Sequence, residues 1–357
     1  MRFLLATICS GLLALPQLSA ADAKPSLGIG DAAPPVKATK WLKGKEITAF
    51  EAGKVYVVEF WATWCGPCIA MMPHISRIQD EYRDKGVTII GFSAIDNNNS
   101  EAKVTDFVET RGKKLHYTMA FADNRDTRDA YMKAAQRNGI PCCFVVDKAG
   151  KVAFIGHPVL LDEVLPKVVA GAWKGQEDAD DLEKGLDEFR EVAVLGRKDP
   201  EAALKAFDEL REKRPTLARS VFFAPTRIAL LLKLEKRDEV RTEATRQIEL
   251  ARKRDDGSSL ARLAGMLAGS STDKELLTLA LRTAEDALKI NGEKDVSTLL
   301  LLADVHFALG EKARAREFGA KAVAAANPRI RKQVEERVEK YDGENPDVPK
   351  SEDKKDS

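Results

Sequence analysis

The run Val57-Val58-Glu59-Phe60-Trp61-Ala62-Thr63-Trp64-Cys65-Gly66-Pro67-Cys68 constrains the fold of this chain more than any other segment. Residues 55–61 are apolar and of strand length, and Pro67, with its fixed φ and missing N–H, suits the first turn of a helical pattern over 67–85. A Cys-x-x-Cys at such a strand-to-helix junction puts its first sulfur near unpaired backbone N–H groups and the positive end of the helix dipole. The thiolate is favoured there. Cys65 therefore reads as a nucleophile with its sulfur exposed, and Cys68, one turn on, as the buried resolving thiol. Exchange through a mixed disulfide needs no cofactor. Half of a zinc site is the competing use of the motif, but the other pair, Cys142-Cys143, is adjacent and lacks knuckle spacing, so no metal is expected.

At 357 residues the chain is too long for one average domain, and its pattern changes midway. Over 24–173, apolar strand-length runs at 55–61, 87–92, 142–147 and 152–155 alternate with helical stretches at 67–85, 101–111 after the cap candidate Ser100, and 125–138 stopped by Gly139. That order predicts an α/β unit, a mixed central sheet with helices on both faces. From 174 to 342 only helical patterns occur, and the trio Ala280, Ala284 and Ala287 recurs 35 residues later as Ala315, Gly319 and Ala322. This spacing resembles a tetratricopeptide-like stack of helical hairpins, although its Trp and Tyr positions are unfilled; an irregular bundle is the alternative. Residues 343–357 lack apolar periodicity and read as a solvated tail.

Residues 1–23 read as a cleaved export signal, with Arg2 before the apolar run 3–15 and small residues up to cleavage near Ala20 to Ala23. The run is short of the roughly 20 residues a membrane span demands. Cys9 would leave with this segment, and the remaining cysteines, Cys65, Cys68, Cys142 and Cys143, would reach a compartment where disulfides persist. Lys plus Arg total 57 against 56 for Asp plus Glu, too even a balance to hold nucleic acid.

Residues 58–68, together with Pro73 and Gly139-Ile140-Pro141, resemble the active-site segment, kinked helix and cis-proline loop of thioredoxins over roughly 30–170. The lead-in Gly30-Asp31-Ala32-Ala33-Pro34 and a long insert over 96–128 are most similar to the exported TlpA/ResA-like redoxin branch. The resemblance implies a periplasmic thiol-disulfide oxidoreductase with no cofactor, acting on protein thiols and disulfides and served by a membrane-bound electron donor. It also implies that Trp64, Gly66, Pro67, Ile140 and Pro141 contact substrate, with Pro141 cis, and that Glu59 is the buried carboxylate behind the redox pair. The apolar neighbours of Glu59 agree with burial, which would tune it for proton exchange with Cys68. Met71 and Met72 precede Pro73 where relatives often carry glutamate, and His74 reads as a helix-surface residue. Trp64 either shields Cys65 and meets partners or belongs to the core.

Cys142 and Cys143 depart from the family, which follows its cis-proline with a small residue. In a strand they point to opposite faces, as two buried hydrophobes or as a second redox pair. Reductase, oxidase and isomerase share the same five-residue core, and Gly66-Pro67 leans towards reductase. A peroxiredoxin is disfavoured, because Ala62 stands where its threonine would be. The rival of another class is a binding module, in which the helical half recruits a protein partner and the redox unit is a platform.

Overall fold

The computed structural model describes residues 25–343 other than 221, 270–272 and 329; the expected export signal and tail fall outside these, apart from Gly343. Six strands form one sheet: β1 (Lys40–Lys43), β2 (Val55–Phe60), β3 (Val87–Ala94), β4 (Thr118–Ala122), β5 (Cys142–Val146) and β6 (Val152–Gly156). Their order is β1-β4-β3-β2-β5-β6, so β2, the strand that leads to the redox motif, lies inside the sheet. β2, β3 and β4 run parallel, while β1, β5 and β6 pair antiparallel with their neighbours. Every residue of β2 is buried, Glu59 among them, as its otherwise apolar run requires of a strand covered on both faces.

Helices α1 (Gly66–Tyr82), α2 (Glu101–Thr110) and α4 (Leu161–Ala170) contribute Ile75, Val104 and Val164 to the core on one face of the sheet. On the other face, α3 (Asp126–Arg128) runs into a π-helical turn at Asp129–Lys133, whose Tyr131 and Met132 are buried with Leu27 and Val36. One regular helix was expected over 125–138. The Ala134 N–H instead reaches back five residues to Asp129 O, a wider turn that lets adjacent Tyr131 and Met132 both face inward. Two strands were not expected. β4 lies within the supposed insert, its pattern diluted by Ala120 and Ala122, and β1 is a short edge strand with a lysine at each end.

Beyond Trp173 the described residues form helices only: α5 (Gln176–Lys198), α6 (Pro200–Lys213), α7 (Pro215–Ala218), α8 (Ala224–Lys233), α9 (Arg237–Lys253), α10 (Gly257–Gly269), α11 (Lys274–Asn291), α12 (Val296–Ala308), α13 (Lys312–Ala325) and α14 (Arg331–Val338). From α8 onward each packs on its neighbour in the chain. Ala280, Ala284, Ala287, Ala315 and Ala322 are fully buried at these contacts, and a Cβ on Gly319 would stand 3.2 Å from the Tyr341 ring. The two halves share one continuous core, and polar contacts fix the seam. Lys114 Nζ donates to Ile290 O at 3.0 Å, and Arg137 pairs with Glu183 at 3.2 Å.

Candidate redox site

β2 ends at Phe60, and residues 61–64 carry the chain over the sheet edge to Cys65, the N-cap of α1. Cys65 has extended backbone, and its Sγ accepts the Cys68 N–H at 3.2 Å, so a helix-terminal donor points at the sulfur. Pro67 sits in the first turn, where its missing N–H costs nothing. The two cysteines are joined as a disulfide, with Cα atoms 5.3 Å apart.

Cys68 is fully buried and Cys65 only 4% exposed, so the expectation of an exposed Cys65 sulfur does not hold for the oxidised chain. The first turn of α1 folds its cap residue onto the core it shares with Trp61 and Cys143, leaving Gly66 and Pro67 as the exposed crest. Trp64 is 54% exposed and therefore not core; its Nε1 donates to Asp96 Oδ2 at 3.0 Å. It lines a cleft of about 530 Å³ together with Trp61, Ala62, Arg128, Gly139 and Ile140. The Ile140–Pro141 peptide is cis. A second cleft, of about 750 Å³, opens on the other side of the motif, running from Gly66, Ile69 and Met72 to Ala261 and the 291–295 turn of the helical half.

One brace had no sequence signal beyond a polar run after an apolar strand. Asn99, buried at 1% exposure, accepts both the N–H and the hydroxyl of Thr63 on its Oδ1, at 3.1 and 2.8 Å. Its Nδ2 donates to Ser93 Oγ and Ala94 O, and Ser93 Oγ in turn donates to Trp61 O. The loop before Cys65 is thereby fixed from below.

Glu59 is fully buried on the face of β2 that packs against α1, in register with Gly91 of β3 and Cys143 of β5. Neither carboxylate oxygen has a hydrogen-bond partner, and burial pushes its pKa up to about 8. Trp61 Nε1 and the Tyr117 hydroxyl, also buried, are unpartnered too. Both crowd Gly91, where a Cβ would stand 2.8 Å from Tyr117 Cε2 and 3.4 Å from Trp61 Nε1. Burial pushes the Tyr117 phenol well up, and the charge of Glu59 adds to the effect.

Cys142 and Cys143 are both buried thiols, on opposite faces of β5: Cys142 belongs to the core that holds Phe60 and Phe144, Cys143 to the core that holds Cys68 and Trp61. Burial pushes the Cys142 thiol up to about 12 and that of Cys143 well above its ordinary value. His74 corrects the sequence reading, being only 3% exposed rather than on the surface. Its Nδ1 lies 2.7 Å from Arg77 Nη2 and its Nε2 lies 3.0 Å from Asp162 Oδ2, because α4 and the helical half cover that side of α1. No group of three or more His, Cys, Asp or Glu among the described residues is arranged to hold a metal ion.

A family model described as Redoxin matches residues 29–166. Protein FixW of Rhizobium leguminosarum is 33% identical over 153 residues, 42% of this chain and 69% of that protein. Thiol-disulfide oxidoreductase ResA of Bacillus anthracis is 33% identical over 130 residues, 36% of this chain and 69% of that protein. A solved thiol:disulfide interchange protein, thioredoxin family, from Chlorobium tepidum TLS is 27% identical, covering 42% of this chain and 99% of its own at a TM-score of 0.34. The matched segment contains the whole sheet and the Cys65–Cys68 pair, and the chain belongs to the redoxin family of thioredoxin-fold thiol-disulfide oxidoreductases.

Proposed function

We propose that the protein is an exported reductase of protein disulfides, with Cys65 as nucleophile and Cys68 as resolving thiol. The observation that carries this reading is the Cys68 N–H directed at Cys65 Sγ on the N-cap of α1, a position that stabilises a thiolate at Cys65 alone. In the reduced protein the Cys65 thiolate attacks a client disulfide, forming a mixed disulfide and expelling one client thiolate, which takes up a proton from water. Cys68 then gives its proton to the Glu59 carboxylate and attacks Cys65 Sγ, releasing the second client thiolate. Two electrons pass to the client, and the Cys65–Cys68 disulfide remains for a dithiol donor, by family resemblance membrane-bound, to reduce.

Trp64, Gly66, Pro67, Ile140 and Pro141 are the proposed client contacts, favoured by the exposure of Trp64 and by the cleft it shares with Ile140. Export rests on Arg2 and the apolar run 3–15, and the periplasm is the compartment it implies. Among the described residues no helix is long and apolar enough to cross a membrane. The helical half, proposed as a tetratricopeptide-like domain over 174–342, serves as the client-selecting element. The cleft that leads from Gly66 to the 291–295 turn favours this assignment over a purely passive platform.

The test is the reduction potential of the purified chain, read from the Cys65–Cys68 thiol state in defined redox buffers, with insulin reduction as the turnover assay. A value near the roughly −270 mV of thioredoxin is expected of a reductase. A value near the roughly −120 mV of a strong oxidant would replace the reductase reading with an oxidase.

A further inference from the structure

A cleft of about 870 Å³ opens between α1 and α4 of the redox unit and α7 and α9 of the helical half. It continues towards α10 along a shared wall that includes Arg219 and Arg254. Four arginines on these walls, Arg77, Arg219, Arg254 and Arg262, have no carboxylate within ion-pair distance among the described residues. Three of them meet groups other than carboxylates: Arg77 Nη2 lies 2.7 Å from His74 Nδ1, Arg219 Nε donates to Pro215 O at 3.0 Å, and Arg262 Nη2 donates to Ser259 Oγ at 3.2 Å. Arg77 Nη1 and Arg262 Nε are buried with no partner at all. Arginines nearby are paired, Arg246 with Glu243 and Arg252 with Asp286 at 2.7 Å.

The carboxylates in the cleft are largely committed elsewhere. Asp162 faces His74 at 3.0 Å, Asp256 accepts the Ser259 N–H at 2.9 Å and its hydroxyl at 2.8 Å, and Glu81 pairs with Lys85 at 3.7 Å. Among the described residues Asp256 and Glu249 make no ion pair, and of the two Asp256 is held by Ser259. Burial, and then the neighbouring charge of Arg254, pushes the Arg77 guanidinium below its ordinary value, against the smaller opposing charges of Asp256, Asp162 and Glu81. A part-buried guanidinium with a free donor, facing a second cation, is an arrangement that a counter-anion relieves.

We propose that this inter-half cleft binds a small dianion of the phosphate or sulfate type, held between Arg77 of α1 and Arg254 at the end of α9. Guanidinium forks match tetrahedral oxyanions through paired, charge-assisted hydrogen bonds. Arg77 lies nine residues beyond Cys68, about 13 Å along α1, so the ligand sits outside the reacting atoms and ties the two halves together.

Isothermal titration calorimetry of the purified chain with inorganic phosphate, then with sulfate, in chloride buffer of constant ionic strength, tests this. Excluded anions stabilise any protein without binding, so only saturable heat at one site counts. One site is expected in the unaltered chain, weakened at least tenfold by Arg254→Gln, an exposed position at which disulfide exchange and the thermal midpoint without added anion stay unchanged. Arg77→Gln is expected to abolish binding, with circular dichroism confirming that it folds. Absence of saturable heat with either anion, or equal binding by Arg254→Gln, overturns the proposal. Sedimentation with phosphatidylglycerol vesicles without phosphate binding would assign the arginines to a lipid surface and overturn it as well.

Discussion

Asn99 holds Thr63 by both its backbone N–H and its hydroxyl, and this pair of bonds fixes the loop that delivers Cys65 to the N-terminus of α1. Asn99→Ala leaves the Thr63 N–H and hydroxyl without their acceptor and Ser93 Oγ without one of its two bonds, at about 1–3 kcal/mol. Chemical denaturation is expected to show that loss. The rate of mixed-disulfide formation at Cys65 should fall with it, because the loop is no longer preorganised. An unchanged denaturation midpoint would rule the brace out.

Glu59 makes stability and rate depend on pH in opposite ways. Its carboxyl ionises near 4.5 when unfolded and at about 8 when folded, so the unfolded chain holds fewer protons between those values. Stability is therefore greatest below about pH 4.5 for this group, falls as pH rises, and levels off above about 8, at roughly 1.4 kcal/mol per pKa unit before relaxation. Glu59→Gln should flatten that slope in urea titrations across the same window. In the proposed mechanism the resolving step uses the ionised carboxylate and should speed up through about pH 8; Glu59→Gln should slow it roughly tenfold or more at neutral pH. A variant that keeps both profiles would remove Glu59 from the mechanism.

Gly91 exists as glycine because Tyr117 and Trp61 occupy the space above it. Gly91→Ala forces a contact of 2.8 Å with Tyr117 Cε2. Overpacking of this kind costs about 1–3 kcal/mol, readable as a lower denaturant midpoint with an unchanged slope. Stabilisation by the extra methyl group would mean that the ring is free to move aside.

Cys142 and Cys143, buried and with raised thiol pKa values, should resist alkylation in the native oxidised chain at pH 8 and react only on unfolding. Peptide mass spectrometry with iodoacetamide checks this. Insulin reduction by the Cys142→Ala/Cys143→Ala double variant should stay within about twofold, since the exchange at Cys65 and Cys68 is complete in itself. A large loss would give the adjacent pair a redox role.

What was legible in the sequence was what local pattern encodes. The aliphatic runs of β2, β3 and β5 and the Cys-x-x-Cys at the head of α1 carry their own signals, and so does the Ser100 cap, which accepts the Lys103 N–H. What escaped depends on residues distant in the chain. His74 is buried because the helical half and α4 lie across α1, which no periodicity within α1 reveals. Asn99 became a brace only once β3 set it below residues 61–63. The π turn at Asp129–Lys133 follows from anchoring Tyr131, whose hydroxyl donates to Pro34 O far upstream.

In the proposed mechanism Cys65 attacks and Cys68 resolves. Mass spectrometry of the reduced Cys68→Ser chain after mixing with insulin tests it most directly, since without the resolving thiol the mixed disulfide has no exit. A stable insulin adduct at Cys65, absent from Cys65→Ser, is the expected result. Adducts at Cys142 or Cys143, or none at Cys65, would contradict the account.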